Sequence, residues 1–205
     1  VQAFGKISID TQNIPINFLS MSAHKLYGPK GVGALFIKKG SIINPLIHGG
    51  GQESNLRGST ENIIGIAGFG LAAEIAIRNI AKNSDHINQL GLHLINTLNK
   101  KKIVYKINGE NCVPGVFNIA FPIIEGQDLV MQLDMVGIAI SFGAACASGT
   151  IKESNMLVNM GLTNKEANSS VRLSIGKIHT KENVEAVINA IDYIINTYVG
   201  KINER

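Results

Sequence analysis

Two amphipathic stretches set the framework of this chain. In SDHINQLGLHLINTLNKK, residues 84–101, the side chains of Ile87, Leu90, Leu94, Ile95 and Leu98 recur at helical spacing and share one face. Ser84 or Asp85, just ahead of the stripe, is the expected N-cap. A second helix is expected to open at Thr180, with Val184, Val187, Ile188, Ile191, Ile195 and Tyr198 as its apolar stripe. Such stripes must be buried against something, and the chain offers short strands. INFLSMS (16–22) and GALFI (33–37), bounded by proline and glycine, read as buried strands. VFNIAF (116–121), GIAIS (137–141) and VRLSI (171–175) read as further strands, with a helical segment over Gly126–Met135. Strands alternating with helices predict an α/β or α+β architecture. The texture changes between residues 100 and 115, which predicts two parts, 1–105 and 106–205.

Composition removes several classes of function. A chain of 205 residues with 45% hydrophobic residues can bury a substantial core and suits one large domain or one and a half smaller ones. Its net charge is only +4, and the densest run, Lys100 to Lys102, falls at an expected helix end, where cations complement the dipole. No aromatic residues interleave with that charge, so no nucleic-acid partner is expected. The stretch Ile63–Ala73 is too short for a bilayer, which takes about 20 apolar residues, and no basic-then-apolar leader is seen. No membrane partner is expected. Cys112 and Cys146 have neither CxxC spacing nor zinc-type histidines, so a disulfide scaffold and a structural metal are not expected, and a reducing, cytoplasmic setting is.

Chemistry concentrates in SMSAHKLYGPKGVG, residues 20–33. Ser22, His24 and Lys25 follow an apolar strand and precede a glycine-rich run. A lysine that forms an imine with an aldehyde attacks as the neutral amine, which partial burial or a neighbouring cation favours. Glycines let backbone approach a ligand closely, and a serine hydroxyl can turn toward an anion. The run fits neither GxGxxG nor GxxxxGK[ST]. On these residues alone, Lys25 fits a structural place in a turn better than a catalytic one. HGGGQESNLRGSTEN (48–62) is too long for a simple turn, and loops of that size are usually functional or mobile. Cys146, in SFGAACASGT, is flanked by small residues that suit an accessible loop, although a free cysteine is commonly a small buried hydrophobe. Cys112, in GENCVPG, lacks such surroundings. Arg172 alternates with Val171 and Leu173 and so faces away from them, ready for a carboxylate of the protein or of a substrate.

Taken in order, SAHKLYGPKGVGALFIKKG, HGGGQE with its following arginine, threonine and asparagine, CASGT and SSVRLSIGK resemble the cysteine desulfurases of the NifS/IscS type. These are pyridoxal-phosphate enzymes of the aspartate-aminotransferase-like fold, and the resemblance runs from Val1 to the C-terminal helix. It implies an α/β fold: part of the large cofactor-binding domain over 1–105, then a smaller α+β C-terminal domain over 106–205 that bears a mobile cysteine loop. It implies that Lys25 bonds the cofactor, that Gln2 hydrogen-bonds its phenolic oxygen, and that Ser22 and His24 hold its phosphate. Thr60 would reach the phosphate of a neighbouring subunit in a homodimer. Arg172 would bind the carboxylate of L-cysteine. Cys146 would take the substrate's sulfur as a persulfide, leaving alanine, and pass it to an iron–sulfur scaffold or another acceptor protein. Cys146 would also be the one contact to iron–sulfur chemistry.

The same resemblance implies that the chain is the C-terminal portion of such an enzyme, with the partner of the pyridine nitrogen and the ring-stacking histidine on a preceding half. Two further readings follow: one half of a split desulfurase complemented by a separate N-terminal half, or a non-catalytic remnant that at most binds proteins. Some positions depart from the family pattern. Arg57-Gly58-Ser59-Thr60 stands where arginine, a small residue, glycine and threonine are usual, Phe142 and Ala144 replace serines, and Ser54 and Asn55 stand where glycine and arginine are frequent.

Overall fold

Strands β1 (Phe18–Ser22) and β2 (Gly33–Ile37) pair antiparallel, from Phe18 opposite Ile37 to Ser22 opposite Gly33. They belong to the first of two units, Val1–Ser84 and Asp85–Arg205, in a computed structural model that describes residues 1–143 and 155–203. A 3-10 turn, Ala23–Leu26, leaves β1 and presses Ala23 and Leu26 against Phe69 and Ala76 of α1 (Ile63–Arg78). Asn62 caps that helix by accepting from the Gly65 amide at 3.1 Å. The two strands are where the sequence puts them, but they are not buried. Phe18 and Leu35 are exposed, because the hairpin has no third strand beside it in this unit and only a small apolar cluster beneath it.

The second unit is built on a four-stranded antiparallel sheet of order β3-β4-β6-β5. Its strands are β3 (Lys106–Asn108), β4 (Val116–Ala120), β5 (Ser141–Phe142) and β6 (Ser170–Ser174). Helix α2 (Ile80–Lys100) lays Leu90, Leu94 and Leu98 into the core with Ile119, Val171 and Leu173 of the sheet. Gly91 leaves room for the Phe117 ring, since a Cβ there would lie 2.5 Å from its Cζ. Helix α6 (Lys181–Asn203) adds Val184, Ile188, Ile191 and Ile195. As expected it opens at Thr180, whose amide donates to Asn183 Oδ1 at 2.9 Å while its Oγ1 accepts from the Asn183 amide. Truncating any of these fully buried leucines or isoleucines to alanine should cost about 2–5 kcal/mol. Helix α3 (Gly126–Asp134) follows β4, and α4 (Asn155–Asn159) and α5 (Asn164–Asn168) precede β6.

Two sequence expectations are not met. Ser84 and Asp85 lie inside α2 and do not cap it, because the Asn83 amide already bonds to Asn79 O and the helix is under way from Ile80. The two compact units meet at Ser84/Asp85, and the apolar stripe of α2 lies in the core of the second. GIAIS is not a strand over 137–141. Gly137 adopts φ +80° and donates to Asp134 O, and the Ile138 amide donates to Leu133 O, so these residues close α3, and β5 begins only at Ser141. Among the described residues no single helix is long and apolar enough to cross a membrane.

Candidate active site

Lys25 is held between two anchors. Ala23 and Leu26 are buried on either side of His24 and Lys25, which leaves the histidine exposed and the lysine half-buried. The turn closes through Tyr27 at φ 62° and a bond from the Gly28 amide to Ala23 O at 2.9 Å. Gly28 has to be glycine, since a Cβ would come within 2.9 Å of Ala72 Cβ and 3.0 Å of Ala23 O. Ser22 Oγ and His24 Nδ1 are 2.8 Å apart. That bond sets a hydroxyl and an imidazole side by side, at the lysine's own strand end, where both can meet one anion.

Gln2 is exposed on an N-terminal segment that runs beside this turn: a Cβ on Gly5 would lie 2.5 Å from Leu26 Cδ2. Thr60 belongs to a separate loop, and no hydrogen bond joins it to Ser22, His24 or Lys25 among the described residues. Arg57 holds that loop, donating from Nη1 to Ser59 O at 3.2 Å and Thr60 O at 3.5 Å. The altered glycine order has a physical reason. Gly58 is where the loop crosses itself, with its Cβ position 2.8 Å from Gly49 N and Cα, while Ser59 takes the left-handed φ of 85° itself. Glu53, Ser54 and Asn55 form a left-handed run at φ 49°, 57° and 66°. Each such non-glycine residue costs about 1–2 kcal/mol. A cavity of about 620 Å³ opens between β2, this loop and α1, walled by Leu35, Leu46, Arg57, Ile66 and Phe69. Lys25, Ser22 and His24 are not among the residues that wall it.

Arg172 stands on β6 with Val171 and Leu173 buried on the opposite face, as the alternation predicts. Its Nη2 donates to Ser141 Oγ at a long 3.5 Å, and its buried Nε has no acceptor among the described residues. A guanidinium has five donors in a planar fork, so most of its capacity for a carboxylate remains. The sequence reading missed its neighbours, Asn118 on β4 and Ser141 on β5, which sit opposite it in register. The available signal was a lone polar residue inside the apolar run VFNIAF. Cys112 is exposed with a free thiol. Cys146, with its suggested iron–sulfur contact, lies outside the described residues. Among the described residues no group of three His, Cys, Asp or Glu side chains is placed to hold a metal ion. The predicted residues thus divide: Gln2, Ser22, His24, Lys25 and Thr60 in the first unit, Arg172 in the second.

The sequence pattern of the aminotransferase class-V family matches residues 1–187. The chain belongs to that family. It is 44% identical over 199 residues to a cysteine desulfurase IscS of Clostridium botulinum, a match that takes in 95% of this chain and 50% of that protein. A cysteine desulfurase IscS of Dictyoglomus turgidum is 38% identical over 197 residues, again 95% of this chain and 50% of the relative. The solved structure of a NifS-like protein from Rickettsia africae superposes with a TM-score of 0.85 at 34% identity, over 96% of this chain and 52% of that one. The class-V aminotransferase α/β fold therefore stands, and class-V aminotransferases and cysteine desulfurases are pyridoxal-phosphate enzymes. The chain spans about half the length of the curated relatives it matches. One expectation is corrected by these matches. The family pattern spans residues 1–187 and the match takes in about half of each of these relatives, so the reading of this chain as the C-terminal portion of a desulfurase, with 106–205 as that enzyme's smaller C-terminal domain, is withdrawn.

Proposed function

We propose that this class-V aminotransferase chain serves the removal of sulfur from L-cysteine, giving L-alanine and a cysteine-bound persulfide for an acceptor such as an iron–sulfur scaffold. The observation that carries this reading is the turn after β1, where the half-buried Lys25 follows a serine and a histidine joined at 2.8 Å. These residues fit pyridoxal phosphate: an amine for its aldehyde beside two polar groups for its phosphate. When bound, the cofactor supplies an aldehyde that bonds amines and a ring that withdraws electrons from the substrate's α-carbon.

On this reading the first unit is the cofactor-binding one. Ser22 and His24 would hold the phosphate, Gln2 would hydrogen-bond the phenolic oxygen, and Lys25 Nζ would bond the aldehyde and carry the substrate's α-proton. Thr60, its backbone held by Arg57, reaches the phosphate of a neighbouring subunit in a homodimer. In the second unit Arg172 fixes the substrate carboxylate through its uncommitted donors. The Cys146 thiolate attacks the substrate's sulfur. A sulfur–sulfur bond forms as the carbon–sulfur bond breaks, the electron pair stays on the substrate's β-carbon, which takes up a proton, and return of the α-proton from Lys25 to the α-carbon completes alanine.

Purified protein supplied with pyridoxal phosphate and L-cysteine should release alanine, and Lys25→Ala should abolish both the release and the visible absorbance of bound cofactor. Full alanine release by Lys25→Ala protein would overturn the reading.

A further inference from the structure

Four polar residues stand in one row across the second sheet: Asn108 opposite Asn118, Asn118 opposite Arg172, and Arg172 opposite Ser141. Residues in register on adjacent strands project to the same face. On the other face Ile119 and Val171, paired with each other, are fully buried in the core. The polar row therefore lies on the face of the sheet opposite that apolar core.

Hydrogen bonding gives the row a direction. Ser170 Oγ donates its single proton to Glu166 O at 2.6 Å, so toward Asn108 it can only accept. That fixes the amide of Asn108, which is 4% exposed: its Nδ2 donates to Ser170 Oγ at 2.9 Å and also to Asn118 Oδ1 at 2.7 Å. The oxygen of Asn118 is thereby turned toward β3 and its NH₂ toward β6 and β5, where it donates to Gly143 O at 3.4 Å. Arg172 thus faces a neighbour that presents a donor and not an acceptor. Its Nε is shielded from solvent with no acceptor among the described residues, and Nη2 has only the long bond to Ser141.

We propose that the Ser170–Asn108–Asn118 relay is a positioning device that withholds an internal acceptor from Arg172, so that the guanidinium's donors stay available for the carboxylate of an amino-acid substrate. The inference rests on the assignment of Arg172 to that carboxylate and adds the residues that keep it ready. An asparagine free to rotate would present its oxygen to Arg172 and close a bond that the ligand then has to break. Asn118 touches no reacting atom in this account and acts through Arg172.

The test compares Asn118→Asp and Asn118→Ala in cofactor-loaded protein, with the dissociation constant for L-alanine measured by calorimetry and the melting temperature taken on the same samples. Asn118→Asp places an acceptor opposite Arg172. It should weaken L-alanine binding by about tenfold or more while leaving the melting temperature unchanged or raised. Asn118→Ala supplies no acceptor and breaks the relay. It should lower the melting temperature while the dissociation constant stays within about threefold of the parent, since Arg172 gains no partner. A purely structural asparagine would move affinity and melting temperature together in both variants, and that result would overturn the proposal. So would a tenfold loss of affinity in Asn118→Ala, which remains decisive should Asn118→Asp not fold. Arg172→Gln separates the two levels: if it leaves L-alanine binding intact, the carboxylate assignment itself fails, whereas a loss there with Asn118→Asp unaffected refutes only the relay.

Discussion

Ser22 Oγ and His24 Nδ1 lie 2.8 Å apart across the buried Ala23, at the end of β1 and one residue before Lys25. Strand, turn and buried methyl together set the spacing of these two polar groups, so their geometry is a property of the local fold. Ser22→Ala removes one of the two. It should weaken binding of pyridoxal phosphate by about tenfold, the worth of one hydrogen bond to a charged group. Absorbance titration with the cofactor checks this, and an unchanged midpoint would detach Ser22 from the phosphate.

Gly115 is a tight backbone position in the second unit. It sits at φ +82°, with its Cβ position 2.1 Å from Ile175 O, and its own carbonyl accepts from the Ile175 amide at 2.7 Å. Gly115→Ala combines a backbone clash with a left-handed conformation, and should destabilise the protein by about 3 kcal/mol. Urea unfolding measures it.

Acid should weaken the link between β3 and α5. A hydrogen bond from Lys106, with further bonds from Thr163, holds the Glu166 carboxyl down at about 2, from 4.5. The folded-state value is depressed, so the stabilisation is present above the unfolded value and is lost as pH falls from about 5 toward 2. Melting temperature should drop across that window, and Glu166→Gln should flatten the drop. The side chain is a third exposed, so salt should reduce the effect.

The two cysteines should separate cleanly. Cys112→Ser should leave sulfur transfer intact, since its exposed thiol lies in a loop with no assigned ligand group. Cys146→Ser should abolish transfer to an acceptor while cofactor binding persists, because the thiol acts after the cofactor is in place. Labelling with a sulfane-sulfur probe followed by peptide mapping distinguishes them. Loss of transfer in Cys112→Ser would reverse the assignment.

What was legible in the sequence is what is local in the chain. The stripes of α2 and α6 repeat at helical spacing, and Ser22, His24 and Lys25 are near neighbours in sequence, so their juxtaposition needs only a strand end. The open faces of β1 and β2 were not legible, because burial depends on what covers a strand and not on its own apolarity. GIAIS alternates like a strand, yet the cap that Gly137 makes for α3 takes its first residues. The left-handed run Glu53–Asn55 carries no glycine to announce it. Asn118 and Ser141 stand beside Arg172 only through strand register, which joins residues far apart in the chain. Register leaves no mark in a short window of sequence.

Lys25 is the residue through which the proposed chemistry stands or falls, and one measurement addresses its bond to the cofactor most directly. Protein loaded with pyridoxal phosphate is reduced with borohydride, digested and mapped by mass spectrometry. The cofactor should be attached to the peptide containing Lys25, with the label absent from Lys25→Ala protein. A label on Lys30 or Lys38, or none on any lysine of a protein that still releases alanine from cysteine, would contradict it.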